Sequence, residues 1–151
     1  MTPYVQERLR DIRSRLSLPI MSAPLFLVTS PRLCIESCKA GIIGAFPTLN
    51  ARTLDIADAW LKEIADGVAA AEAENPGKVG PWAANLIVHP SNSRVSEELK
   101  LVEKHKPGIV IIAWGKPSSV AGPIHDYGGL VFSDVATVEH ARKAVDNGAD
   151  G

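Results

Sequence analysis

Several polar residues stand within or just after apolar runs of the sequence, where ligand-binding side chains are often placed. Asn85 lies inside "WAANLIV", and a carboxamide in such a run must find hydrogen-bond partners or it is costly to bury. His89 follows the same run, Lys116 follows "GIVIIAW", and Asp134 follows "LVFS". An amide, an imidazole, an ammonium group and a carboxylate can bind a polar, planar molecule. They assemble neither a nucleophile–base pair nor a metal-ligand cluster.

Each of these residues also has a structural explanation that involves no ligand. Asn85 would serve as a buried amide tying two strands together, and Asp134 as the N-cap of the helix that follows. His89 would be a loop histidine, and Lys116 a solvated loop lysine. The other histidines are expected to be solvated at helix ends or on helix faces: His105, His125 and His140.

The composition is that of an ordinary globular protein. Hydrophobic residues make up 46% of the chain and charged residues 22%, and the net charge of −1 predicts neither a nucleic-acid nor a membrane partner. No apolar run approaches the ~18 residues of a membrane span. The N-terminus also lacks the apolar centre of a signal peptide. Cys34 and Cys38, one helical turn apart, are expected to be reduced and partly buried. We therefore predict a cytoplasmic location.

The elements that must position the polar residues alternate along the chain. The N-terminal segment predicts an amphipathic helix with an apolar stripe of Val5, Leu9, Ile12 and Leu16. The apolar runs that follow predict five strands: "PIMSAP", "IIGAF", "WAANLIV", "GIVIIAW" and "LVFSDV". Helical segments lie between them. This alternation indicates parallel strands joined by right-handed crossovers, within a single domain over residues 1–151.

The helical segments carry recognisable end signals. Ser30, followed by Pro31, and Thr137 are predicted N-caps. Pro123 is predicted to interrupt a short helix. The long helix over residues 53–74 is predicted to bury one face, which consists of Ile56, Trp60, Ile64 and Val68.

Two fold families accommodate this alternation, a doubly wound open sheet and a (β/α) barrel. The segment after the first strand, "SAPLFLVTS", does not resemble the glycine-rich G-x-G-x-x-G loop of the open-sheet dinucleotide folds, so we favour the barrel. In such barrels function gathers at the C-terminal ends of the strands. Pro24 stands at one of those ends, where the backbone groups of its neighbours are available to a planar ligand.

At these strand ends the sequence resembles a known family. "LPIMSAPLFLVTSPRLCIESCKAGIIGAFPTLNART" is similar to the start of the nitronate monooxygenases, also called 2-nitropropane dioxygenases, which are FMN-dependent TIM barrels. "WAANLIVHPSN", "HKPGIVIIAWG" and "YGGLVFSDVATVEHARKAVDNGADG" follow in the family's order. The resemblance covers nearly all of the chain from Leu18 to Gly151. It implies oxidation of an alkyl nitronate by O₂ to a carbonyl compound and nitrite, with FMN as cofactor.

The resemblance also implies which residues contact FMN. Ala23, Pro24 and Leu25 stand at the family's Ala-Pro-Met motif, whose backbone meets the flavin ring, and leucine for methionine changes packing but not those backbone groups. Asn85 matches the family's FMN-binding asparagine. Asp134 takes a position that is often polar or basic near the flavin, and its negative charge leaves that contact open.

By the same resemblance, the family's catalytic histidine and FMN phosphate site would lie beyond Gly151. No catalytic residue is therefore assigned in this chain, and His89 is expected near the mouth of the pocket without acting as the base. The chain is expected to form the N-terminal part of a barrel, with unpaired strand edges and an open inner face that favour self-association as a homo-oligomer. The alternatives are a non-catalytic half-barrel that binds flavin weakly or assembles with another chain, and a barrel enzyme for a phosphorylated metabolite.

Overall fold

The computed structural model describes residues 2–151. Its helices are α1 (Pro3–Arg15), α2 (Pro31–Lys39), α3 (Leu54–Glu74), α4 (Val95–His105), α5 (Ala121–Asp126) and α6 (Val138–Asp146). Its strands are β1 (Gly44–Pro47), β2 (Trp82–Ile87), β3 (Ile109–Ala113) and β4 (Leu130–Ser133). Short 3₁₀ turns at Thr48–Asn50 and Pro117–Ser119 follow β1 and β3.

The strands form one parallel sheet in the order β1-β2-β3-β4, and a helix follows each of them. Neighbouring strands in the sheet are neighbours in the chain, and each crossover runs through a helix that covers the outer side of the sheet. This is the strand–helix progression of a TIM-type (β/α) barrel, present as an incomplete barrel. The predicted fold class is confirmed.

The first of the five predicted strands is reduced to a single parallel bridge between Met21 and Ile43. The ladder continues for one bond in each direction, from Ser22 N to Ile43 O at 2.9 Å and from Ile43 N to Ile20 O at 3.1 Å. The Ser22 hydroxyl then accepts the Ala45 N–H at 3.1 Å, in place of a backbone carbonyl. The segment therefore lies beside β1 but leaves the ladder at Ser22.

The two faces of the sheet are covered by different elements. The outer face packs against the crossover helices and carries Phe46, Ala84, Leu86, Val110 and Val131. The inner face carries Ala45, Ala83, Ile109, Ile111 and Leu130, which cluster with α1.

The N-terminal helix corrects the expectation of an open inner face. Val5 and Ile12 of α1 are each 6% exposed, and they pack against Ile109 and Leu130, which are 0% exposed. The predicted stripe of α1 is confirmed, since Leu9 and Leu16 also pack against this cluster. The part of the inner face that these residues form is therefore covered by the chain's own first helix rather than by water.

Most helix signals are confirmed, with two corrections. Ser30 and Thr137 cap α2 and α6 through their side chains, as predicted. The predicted face of α3 is confirmed at Ile64, which is buried, and at Trp60 and Val68, which pack against the outer cluster. Ile56 is instead 39% exposed, and Ala57 and Leu61 are buried. Pro123 lies within α5 near its start, where proline is tolerated, and does not interrupt it.

Within residues 2–151, no helix combines the length and apolar character needed to cross a membrane. Cys34 and Cys38 are free thiols with no exposed surface, so they are more deeply buried than predicted. A hydrogen bond with Cys38 and burial raise the pKa of the Cys34 thiol, which makes it unreactive.

Candidate functional site

The C-terminal ends of the parallel strands meet at one end of the sheet, and the predicted site residues are distributed around it. Asn85 lies on β2, Asp134 directly follows β4, and the Ala23–Leu25 segment follows the bridge at Met21. The structure thus places these residues at the same end of the incomplete barrel, which is where (β/α) barrels bind ligands.

Asn85 points to the inner face of the sheet. It alternates with Ala84 and Leu86, which belong to the outer cluster, and it is 6% exposed. Its side-chain amide donates to the Ile111 carbonyl of β3 at 3.1 Å. No described residue donates a hydrogen bond to its Oδ1. The amide therefore ties two strands, as the structural explanation required, and it also keeps an acceptor for a ligand.

The backbone around Pro24 has open hydrogen-bonding groups. The Ser22 hydroxyl accepts the Ala45 N–H and donates to the Ile43 carbonyl at 3.3 Å. The backbone ladder beside β1 therefore ends at Ser22. Among residues 2–151, neither the Ser22 carbonyl nor the Ala23 N–H has a hydrogen-bond partner. A planar ring with its own N–H and C=O groups can pair with such a stretch of backbone.

Thr29 and Asn50 hold the segment after Pro24 in a defined conformation. The Thr29 hydroxyl accepts the Leu25 N–H at 2.9 Å and donates to the Ala23 carbonyl at 3.4 Å. The Asn50 side chain accepts the Leu27 N–H at 2.9 Å and donates to the Leu25 and Thr29 carbonyls at 3.2 and 2.8 Å. Both side chains are buried, at 3% and 8% exposure.

The sequence analysis missed Thr29 and Asn50, because both stand in loop-like stretches where polar residues are expected. A signal was nevertheless present in their types. Asn and Thr side chains next to turns commonly bond to backbone groups. They are positioning residues for Ala23, Pro24 and Leu25.

A second buried polar network fixes the loop after β2. The Arg94 guanidinium donates to the Ala51 carbonyl at 2.9 Å and lies 3.2 Å from the fully buried Glu98 carboxylate. Asn92 donates to the Ile87 carbonyl at 2.9 Å and to Glu98 at 3.2 Å. The network joins the loops after β1 and β2, and sequence reasoning did not identify it.

Asp134 lies at the mouth of the sheet, exposed to solvent. Its backbone N–H donates to the Ile112 carbonyl at 2.9 Å, while Thr137 caps the following helix. The N-cap explanation for Asp134 is therefore wrong. The side chain instead lines a cavity of about 710 Å³ between the loops after β3 and β4 and helix α6. Lys116 and His140 line the same cavity.

His89 is exposed at the end of β2 and contacts the loop after β3. Its Nδ1 accepts the Ser91 N–H at 3.2 Å and lies 2.8 Å from the Ser91 hydroxyl oxygen. Its ring meets that of Trp114 edge-on, with centroids 6.3 Å apart. His89 thus lies beside the loop after β3, and its place near the mouth of a flavin pocket stays a prediction.

The remaining histidines have different surroundings. His105 was expected to be solvated, but its side chain is 8% exposed and pairs with Asp58 of α3 at 2.6 Å. Hydrogen bonds from Lys104 and then His105 hold the pKa of Asp58 below its usual value. His125 is half-exposed and pairs with Asp150 at 2.9 Å. None of these residues lies on the inner face near Asn85.

Asn85 Oδ1 and the open backbone at Ser22 and Ala23 offer hydrogen-bonding groups of the kind that the polar edge of a flavin ring needs. On the inner face, the described residues offer no group for the phosphate of FMN. Within residues 2–151, no cluster of three or more His, Cys, Asp or Glu side chains could hold a metal ion.

Comparison with known proteins gives a similarity of fold. No protein-family profile and no curated protein matches the sequence. A structure of FabK from Thermotoga maritima aligns with a TM-score of 0.69 and 19% identity, covering 94% of this chain and 41% of FabK. A single-residue mutant of that FabK gives 0.75 and 19%, covering 94% and 43%. The chain thus spans about two fifths of the FabK length. Its fold is that of the corresponding part of the FabK TIM barrel.

Proposed function

We propose that this chain forms the flavin-ring side of an FMN-dependent oxidoreductase barrel that oxidises alkyl nitronates with O₂ to carbonyl compounds and nitrite. One observation carries the proposal. The inner-face amide of Asn85 and the open backbone at Ser22–Pro24 lie at the same end of the barrel, and both have unused hydrogen-bonding groups.

The fold comparison with FabK supports the barrel part of this proposal. At 19% identity the likeness carries the fold alone, so the FMN cofactor and the nitronate substrate rest on the sequence resemblance and on the geometry at Asn85.

The residues would divide the work of holding the cofactor. Asn85 would accept a hydrogen bond from the polar edge of the ring, while its own amide stays anchored on Ile111. Ala23, Pro24 and Leu25 would meet the ring through their backbone, which Thr29 and Asn50 hold. FMN, when bound, supplies the electron-accepting chemistry of the reaction.

The charged residues in the loops after β3 and β4 would attract or repel the anionic nitronate substrate. Lys116 favours a nitronate anion, and the carboxylate of Asp134 opposes it. Asp134 would therefore set where the anion can approach. No described residue is assigned as the catalytic base.

The alternative is a non-catalytic half-barrel that binds flavin weakly or assembles with another chain. The observation that favours it is the lack of any histidine on the inner face within residues 2–151. This alternative predicts flavin binding without turnover.

The test uses the protein isolated from its native cells, at the length that it has there. Bound flavin is identified after release, and nitrite is measured after adding propyl-2-nitronate in air. Flavin with nitrite release is the expected result. Flavin without nitrite would support the half-barrel, and protein that neither contains nor rebinds flavin would contradict both.

A further inference from the structure

We propose that the cavity between the loop after β3, the loop after β4 and helix α6 is a binding site for a planar, conjugated anion. The cavity of about 710 Å³ falls within the range of roughly 300–1,000 Å³ typical of small-molecule sites. Its polar and aromatic lining includes Trp114, Lys116, Asp134, His140, Lys143 and Asn147.

Trp114 is held in an unusual conformation that packing does not explain. Its φ is +58°, in the left-handed region that a bulky residue rarely adopts, and its side chain is 74% exposed. A glycine at this position would adopt the same backbone without strain. A large apolar side chain that is both strained and solvent-exposed points to a ligand that covers it.

The surrounding chain keeps the indole at the cavity. A Cβ atom on Gly115 would lie 2.8 Å from the Val88 carbonyl, so this turn presses against the end of β2. The Lys116 carbonyl accepts the Ser119 hydroxyl at 2.9 Å, which fixes the other side of the turn. Contacts on both sides therefore fix the position of the turn that carries the indole.

The Lys116 ammonium is the group of the lining that attracts an anion. The Asp134 carboxylate lines the same cavity, and the Lys143 ammonium is already paired with Glu139. The Lys116 ammonium has no hydrogen-bond partner among residues 2–151. Lys143 pairs with Glu139 at 2.7 Å on the exposed side of α6.

The Asn147 side chain, which also lines the cavity, already has hydrogen-bond partners within the protein. The Asn147 amide donates to the Lys143 carbonyl at 2.7 Å and accepts from Ser118 at 3.2 Å, so it does not compete for the ligand. An aromatic face beside an unpaired ammonium recognises a conjugated ring that bears a negative group. A neutral ring would lack the lysine contact, and an aliphatic anion would lack the indole.

This cavity shares Lys116 and Asp134 with the proposed approach of the nitronate, but Asn85 does not line it, so failure of this site and failure of flavin binding are distinguishable. The test titrates the 151-residue chain with 2-naphthoate by isothermal calorimetry. Neutral 2-naphthalenemethanol and aliphatic cyclohexanecarboxylate are the comparison ligands. Saturable binding of 2-naphthoate, at least tenfold tighter than either comparison ligand and weakened by salt, is expected. Absence of saturable naphthoate binding would overturn the proposal.

Two variants separate a ligand contact from a structural role. Trp114→Gly should lower naphthoate affinity at least tenfold while leaving the thermal midpoint unchanged or higher, since glycine relieves the backbone strain. Lys116→Gln should weaken binding severalfold and reduce its salt dependence, whereas the exposed control Lys62→Gln should change neither.

Two results for the Trp114→Gly variant would contradict the proposal. Wild-type affinity in Trp114→Gly would show that the indole does not contact the ligand. Loss of the fold in that variant would show that Trp114 is structural. Asn85→Leu should bind naphthoate as the wild type does, so that a failed flavin site and a failed anion site give different results.

Discussion

At the residue scale, the candidate site depends on a few buried polar side chains that bond to backbone. Asn50 makes three such hydrogen bonds, to Leu25, Leu27 and Thr29. It also stabilises the φ of +61° at Leu27, which is unfavourable for a leucine. The Pro24 backbone is therefore held open by a side chain from the loop after β1.

Replacing Asn50 tests this role. Asn50→Ala should lower the free energy of unfolding by about 1–3 kcal/mol, because buried backbone groups lose their partners. Urea denaturation measures the change, and Asn75→Ala, at an exposed asparagine, is the control. Wild-type stability in Asn50→Ala would show that the segment holds its shape without this side chain.

Sequence reasoning found the site residues that contrast with their surroundings and missed those that do not. Asn85 was identifiable because an amide interrupts an apolar strand. Asn50 and Thr29 stand among loop residues, where asparagine and threonine are common, and only the tertiary structure shows their hydrogen bonds. The φ of Trp114 had no signal either, since tryptophan does not favour that conformation.

At the element scale, helix α2 packs closely on strand β1 at a glycine. A Cβ atom on Gly44 would lie 2.3 Å from the Cys34 carbonyl and 2.7 Å from the Cys38 sulfur. This contact brings the two buried thiols against the sheet. The alternation of apolar runs predicted both elements, but not how closely they approach, because distance depends on packing rather than on periodicity.

Gly44→Ala should therefore destabilise the protein by about 1–3 kcal/mol through overpacking. The matched control is Gly122→Ala in α5, where an added Cβ meets no atom within 4 Å. That substitution should be neutral or stabilise by roughly 0.4–1 kcal/mol. Equal thermal midpoints for the two variants would contradict the close contact between α2 and β1.

The stability that the contact between α3 and α4 contributes depends on pH, and the pKa of Asp58 sets the sign of this dependence. Hydrogen bonds from Lys104 and His105 lower the pKa of Asp58 from its usual 3.8, so its folded form binds protons less readily than its unfolded form. Its stabilisation is present above pH 3.8 and is lost as the pH falls through the lower folded pKa. Asp58→Asn should thus narrow the stability difference between pH 6 and pH 3, measured by thermal melts. If the stability difference between pH 6 and pH 3 were the same in Asp58→Asn and in the wild type, the stabilising role of the Asp58 carboxylate would be contradicted.

At the scale of the whole molecule, α1 substitutes for the missing cover of the inner face. Ile12 and Val5 close the cluster that Ile109 and Leu130 form on the sheet. The predicted apolar stripe of α1 is confirmed. The surface against which it packs could not be predicted, because an apolar stripe shows only that one face of a helix is buried. Self-association stays a prediction, and the exposed apolar residues at 25–28 are where we expect it.

Ile12→Asp should expose the inner face. We expect a loss of more than ~3 kcal/mol of stability and a shift to larger species in size-exclusion chromatography, because a buried apolar contact is replaced by an unpaired charge. Ile56→Asp is the control, since Ile56 is 39% exposed. Wild-type elution and stability of Ile12→Asp would show that α1 does not cover the sheet.

The central claim is that the inner face at Asn85 binds a flavin ring, and the affinity of the chain for lumiflavin and FMN tests it most directly. Lumiflavin has the ring without the phosphate, so both ligands should bind the 151-residue chain with similar dissociation constants, measured by flavin fluorescence. Asn85→Leu should weaken both at least tenfold with its circular dichroism unchanged, and Asn75→Leu should weaken neither. Wild-type affinity of a folded Asn85→Leu variant, or no saturable lumiflavin binding by the wild type, would contradict the account.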